Sequence, residues 1–158
     1  MTDELKIVQA GVNDVPVILE FIKKIAEYEK LSSEVTATED ILKNSLFGDK
    51  KYAEVLLAYY NNQVIGYAVY FYNFSTFTGK QGLYLEDLFV LPEMRSKGFG
   101  KMLFKYLIQL AKDRGCGRFE WCVLNWNTPA IDFYKTFGAV SMDEWRVFRL
   151  DKQALDKL

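Results

Sequence analysis

"GLYLEDLFVLPEMRSKGFGKMLFKYLIQLAKDRGCGRFEWCVLN", residues 82–125, passes from a β-rich stretch through a basic, glycine-containing one to an amphipathic one and back to β. "GLYLEDLFV" has the apolar and aromatic content of a long strand. Leu103, Tyr106, Leu107, Leu110 and Ala111 recur at helical spacing up to a stop at Arg114-Gly115, and "RFEWCVLN" reads as a second strand. Strand, helix and strand in that order predict a right-handed crossover between parallel neighbours.

Upstream, a short strand is expected at "LKIVQA", followed by a helix over residues 14–30. Ile18, Phe21, Ile22, Ile25 and Ala26 share one face of that helix, with Asn13 or Asp14 as cap and Pro16 early. A second helix is expected from near Thr36, where Glu39 completes a capping box, to a stop at Gly48. "YAEVLLAYY" and "VIGYAVYFYNF" read as strands joined by a hairpin at Asn61-Asn62-Gln63. Downstream, Thr128-Pro129 starts a helix that Gly138 stops, and "WRVFRL" reads as a last strand. With no repeat or linker in between, residues 1–158 are expected to form a single α+β domain, its antiparallel strands preceding the crossover.

Composition narrows the chemistry. A chain of 158 residues buries roughly 70% of its unfolded surface, and a hydrophobic content of 50% supplies the core. With 20 basic against 21 acidic residues, no global field recruits nucleic acid or an anionic membrane. No apolar run reaches a membrane span, and "MTDELKIVQAG" lacks the basic-then-apolar order of a secretory signal, so a cytoplasmic protein is expected. Cys116 and Cys122 lack a paired metal-ligand spacing and read as small reduced hydrophobes. Histidine is absent, which removes Ser-His-Asp and Cys-His schemes and most zinc or iron sites; no metal is expected.

The glycine stretch fits neither a P-loop nor a dinucleotide fingerprint. Its bland reading is a loop of solvated cations ahead of a helix. Yet Gly98 and Gly100 allow close backbone approach, and the backbone amides of Ser96, Lys97, Gly98, Phe99, Gly100 and Lys101 lie at a helix N-terminus, where an anion is favoured. Arg95 and Lys97 add charge. Arg95, Gly98 and Gly100 fill the three specified positions of [RQ]xxGx[GA], the motif of the GNAT superfamily of acetyltransferases. "YLEDLFV", "RSKGFG" and "NWNTPAIDFYKTFGA" follow in order, and "IAEYEKL" precedes them, so the chain resembles the spermidine/spermine (diamine) acetyltransferase branch from about Ile7 to its end.

That resemblance implies a GNAT-like fold, helices on both sheet faces, and a parallel strand pair that splays at the cofactor site. It implies acetyl-coenzyme A as co-substrate, its pyrophosphate on residues 95–101 and its pantetheine paired with the backbone of Leu88, Phe89 and Val90 at a bulge, with Asn127 near the thiol end. A free primary amine of pKa about 10.4 is mostly cationic at neutral pH, so transfer to it needs a base. Glu86 and Asp87 face opposite sides of a regular strand; the resemblance selects Glu86, as base through water or as substrate anchor. It selects Tyr134 as the acid for the leaving thiolate, although packing alone explains a tyrosine on that helix face. The Phe89 backbone N–H at the bulge is the expected oxyanion donor.

Tyr28 and Glu29 match positions that contact polyamine in the family, and Glu144 matches a further carboxylate, although the loop "GAVSMDEW" is shorter here. Lysines 23, 24 and 30 neutralising a helix end account for the same acidic cluster structurally. The expected activity is acetylation of a small cationic amine, a polyamine or diamine, by a homodimer. Thialysine, another amino-acid or protein amine, and a non-catalytic acetyl-coenzyme A-binding module are the alternatives.

Overall fold

The computed structural model describes residues 4–158; Met1–Asp3, the start of the stretch read for a secretory signal, lie outside the described residues. The chain divides into two compact units, residues 1–122 and 123–158.

The first unit holds one five-stranded sheet. Its strands are β1 (Lys6–Gln9), β2 (Glu54–Tyr60), β3 (Gln63–Ser75), β4 (Lys80–Val90) and β5 (Arg118–Trp121), side by side in sequence order. The first three neighbour pairs are antiparallel, whereas β4 and β5, joined through α3 (Phe99–Asp113), are parallel. The predicted hairpin is there: Asn61 and Asn62 take φ of 49° and 62°, the left-handed pair that a two-residue turn needs to match strand twist.

Helix α1 (Val15–Tyr28) follows a short turn in which Asp14 Oδ2 accepts the Gly11 N–H at 2.7 Å. Asp14 serves that turn and caps α1 with no side-chain bond. Ile18, Phe21 and Ile25 form the buried stripe of α1. Helix α2 (Glu39–Phe47) starts later than expected, because Thr38 is the residue whose hydroxyl accepts the Ile41 N–H, at 3.3 Å.

Phe21 packs on Tyr67 and Phe89, with centroids 5.4 and 6.2 Å apart, which places α1 on their side of β3 and β4. Val90, one residue on, faces the other way: its Cγ2 lies 3.9 Å from where a Cβ on Gly100 of α3 would stand. Helices therefore cover both faces. Leu103, Phe104 and Leu107 of α3 are buried, Phe104 against Phe119 and Trp121 of β5.

The second unit contains α4 (Thr128–Lys135) and α5 (Lys152–Asp156) and no strand among its residues. "WRVFRL" is therefore not the expected strand. A strand needs a neighbouring backbone to bond, and this unit supplies none. Helix α5 was not legible beforehand; Asp151 caps it by accepting the Ala154 N–H at 2.8 Å. The β-run "RFEWCVLN" also stops early, at Trp121, the last residue paired with β4.

Candidate active site

Strand β4 organises the site, and its pairing is irregular in the middle. Val69 pairs with Asp87 and Tyr70 with Leu85, so Glu86 is an extra residue with no partner on β3. Such a bulge shifts the alternation by one position. Downstream of it, Asp87 and Phe89 lie opposite Val69 and Tyr67 on the α1 face, a placement that counting from Leu83 and Leu85 would deny them. Glu86 is exposed.

The bulge sits at Glu86, not at Leu88, Phe89 and Val90, and this corrects the expected oxyanion donor. Leu91 N–H bonds the Ile65 carbonyl at 2.8 Å, which fixes the phase of the antiparallel ladder. Tyr67–Phe89 is then a mutually bonded pair, so the Phe89 N–H is committed to β3. The backbone groups of Leu88 and Val90 point the opposite way, toward the β5 side. Strand β5 pairs with residues 82–85 alone, so β4 runs on from Glu86 to Val90 without a strand neighbour on that edge. This is the splay expected of the parallel pair.

Beyond β4 the chain makes a short turn, Pro92–Met94, and reaches α3 through left-handed residues at Ser96 (φ 66°) and Gly98 (φ 82°). Gly98 is the N-cap of α3 with no side-chain cap bond, and no atom lies within 4 Å of where its Cβ would stand. The first amides of α3 thus have no side-chain cap from Gly98 and lie at the positive end of the helix dipole. Such a helix start favours an anion by charge. Lys97 Nζ lies over the Tyr60 ring at 5.8 Å. Arg95 turns elsewhere: its guanidinium lies over Tyr28 and Phe89, 4.7 and 5.3 Å from the centroids, and Nε donates to the Val90 carbonyl at 3.2 Å.

On the α1 face, Glu29 follows the last residue of the helix, near two carboxylates of β4. Burial raises its pKa, and the charges of Asp87 and then Glu86 raise it further. Asp87 is raised by burial, against which the Tyr67 hydroxyl, donating to its Oδ2, acts in the lowering direction. Tyr67 is itself fully buried, and its phenol is held far above the usual range by burial first and Asp87 second. Glu29 thus feels the charges of Asp87 and Glu86, and the Tyr28 and Phe89 rings lie 6.3 Å apart, along the part of β4 from the bulge onward. A cation suits that place.

The first unit brings together Tyr28, Glu29, Glu86, Phe89 and Arg95 of the expected set. Asn127, Tyr134 and Glu144 belong to the second unit. There Asn127 is buried and caps α4, its Oδ1 accepting the Ala130 N–H at 3.4 Å. Tyr134 lies on α4 with its ring 5.4 Å from that of Phe133, and Glu144 is exposed in a turn. Sequence reasoning missed Asp87 and Tyr67. The signal was two consecutive acids inside an apolar strand, but choosing between them required the bulge. A cavity of about 640 Å³ near Gln9, Tyr52 and Glu54 involves none of the expected residues.

A mixed sheet opened beside β4, ahead of a helix that starts on a left-handed glycine, defines the class of α+β domain to which this chain belongs. The chain belongs to the acetyltransferase (GNAT) family, which matches residues 18–139, and it is an N-acetyltransferase. Members of that family use acetyl-coenzyme A as co-substrate. The chain is 40% identical over 152 residues to a thialysine N-epsilon-acetyltransferase of Sus scrofa, spanning 89% of each protein. It is 32% identical over 165 residues to a spermidine/spermine N(1)-acetyltransferase-like protein of Homo sapiens, covering 97% of this chain and 23% of that one. Among solved structures, an integron cassette protein from V. cholerae superposes with a TM-score of 0.79 at 25% identity, covering 99% of this chain and 98% of the other.

Proposed function

We propose that this protein transfers acetyl directly from acetyl-coenzyme A to a primary amine of a polyamine or diamine. The observation that carries this reading is that Glu29, beside Tyr28, is acted on by the charges of Asp87 and Glu86, on the part of β4 that runs from the bulge toward the loop into α3. Mutual repulsion among these carboxylates makes a substrate with more than one ammonium group the favoured occupant.

When bound, acetyl-coenzyme A supplies an acetyl thioester. The backbone amides of residues 96–101, with the charges of Arg95 and Lys97, would hold its diphosphate, the outward backbone groups of Leu88 and Val90 would pair with its pantetheine arm, and the family resemblance alone assigns Asn127 to the thiol end. Tyr28 and Glu29 hold the distal ammonium, and Glu144 is a further anchor by family resemblance. Glu86 takes the proton of the reacting amine through water, because an ammonium has no lone pair to donate. A β4 amide on the open edge, that of Leu88 or Val90, stabilises the charge that develops on the carbonyl oxygen. Tyr134 supplies the proton to the departing sulfur, a role assigned from the "FYxxxG" resemblance.

A second reading keeps the chemistry and changes the acceptor to thialysine, and the 40% identity to an enzyme of that name favours it. Release of coenzyme A thiol with putrescine, spermidine, thialysine and a lysine peptide separates the two. Turnover favouring the di- and polyamines is expected; preference for thialysine selects the second reading, and coenzyme A binding without turnover of any amine removes both. The family match crosses both units, which supports one acetyltransferase domain over residues 1–158. We further propose a cytoplasmic homodimer. Trp145 and Phe148 are 76% and 92% exposed, an apolar surface that a second copy would cover; light scattering that gives a monomer would remove this part.

A further inference from the structure

One side chain touches both halves of the site. Arg95 opens the anion loop, yet its guanidinium lies 4.7 Å from the Tyr28 ring centroid, at the end of α1 that leads into Glu29. Its Nε–H occupies the Val90 carbonyl at 3.2 Å. That carbonyl is one of the outward β4 groups on the strand edge left open by β5. Arg95 therefore fills two places at once: the ring face that an ammonium would use and the acceptor that a pantetheine amide N–H would use.

We propose that Arg95 is a positioning residue that couples the two substrates, standing in for the amine on Tyr28 until the co-substrate displaces it from Val90. The inference rests on the acetyltransferase reading of the site. A ligand shifts such an equilibrium only by its differential affinity for the two arrangements, and here the difference is explicit. A pantetheine amide on that open edge competes with the Arg95 Nε–H for the Val90 carbonyl, and a diphosphate at Ser96–Gly98 offers the guanidinium a stronger, charge-assisted partner beside it. The ring of Tyr28 then opens to an ammonium group near Glu29. By linkage, each substrate raises the affinity for the other by the same factor.

The test uses coenzyme A itself, which cannot transfer acetyl, and titrates putrescine and thialysine by calorimetry with and without it. In the parent protein, bound coenzyme A is expected to tighten amine binding about tenfold. In Arg95→Ala, the amine should bind the free protein as tightly as it binds the parent's coenzyme A complex, so the coupling factor falls to about 1. Arg95→Lys keeps a cation over the ring without the guanidinium fork and should retain part of the coupling. Thermal unfolding of each variant checks that it is folded. Undiminished coupling in Arg95→Ala, or no gain in amine affinity for the free variant, overturns the proposal. A parent protein that acetylates amines with a coupling factor of 1 overturns this proposal alone; a parent that binds no coenzyme A removes the reading beneath it.

Discussion

Replacing Tyr67 with Phe deletes one hydroxyl from a fully buried ring and leaves Asp87 without the donor that holds its charge. A hydrogen bond to a charged group contributes about 1.5–3 kcal/mol, and Tyr→Phe opens little cavity, so Tyr67→Phe should cost about 2 kcal/mol at pH 7.5. For a chain of this size that is about 4–8 °C in Tm. The sign with pH follows from Asp87, whose folded pKa is raised by burial and lowered in part by Tyr67. A raised carboxyl contributes stability that is present below its unfolded pKa and lost as pH rises through the folded one. Removing the hydroxyl raises the folded pKa further, so more stability is lost on the way to pH 7.5 and the gap between variant and parent widens with pH. As pH falls to the unfolded carboxyl value, about 3.9, the loss should shrink toward that of a neutral hydrogen bond, about 1 kcal/mol. Urea unfolding at both pH values, repeated in an Asp87→Asn background, measures this. Equal losses at the two pH values, or a pH dependence that survives Asp87→Asn, would refute the argument.

Three further outcomes are expected. Gly98→Val forces a β-branched residue to φ near 82°, at a cost of about 1–2 kcal/mol, and a drop in coenzyme A affinity larger than the drop in stability would reveal the anion loop. Tyr134→Phe should lower kcat by about 10² with coenzyme A affinity unchanged, and a near-normal kcat would end its assignment as the acid. Glu29→Gln removes a partly exposed charge that Asp87 and Glu86 oppose, so solvent screening limits the gain in stability at pH 7.5 to within about 1 kcal/mol. The same substitution should raise KM for the amine, and a fall in stability would show that Glu29 is held by attraction.

The parts of the fold written locally were legible in the sequence. Helices α1 and α3 carry their own apolar stripes, and Asn61-Asn62 specifies its turn by backbone conformation. The glycine-containing loop into α3 followed from the same local signals. What could not be read depended on partners distant in sequence. "WRVFRL" has a strand's composition but no neighbour in its unit. Arg95 matched an anion-binding motif, whereas its rings and carbonyl acceptor come from α1 and β4. The choice between Glu86 and Asp87 turned on one extra residue in a ladder, which no periodicity within β4 reveals.

That bulge gives the adjacent acids different work. A regular strand would present one of them to the α1 face and bury or expose the other without a special role. With Glu86 outside the ladder, Asp87 is set on the α1 face under the Tyr67 hydroxyl, while Glu86 stays exposed yet close enough for its charge to raise Glu29. The arrangement is unfavourable on its own: burial and mutual repulsion raise Glu29, and burial raises Asp87 even with Tyr67 opposing it. Groups held in this way destabilise the empty fold at neutral pH and gain most from an arriving cation. That environment is what the proposed recognition of a cationic amine requires.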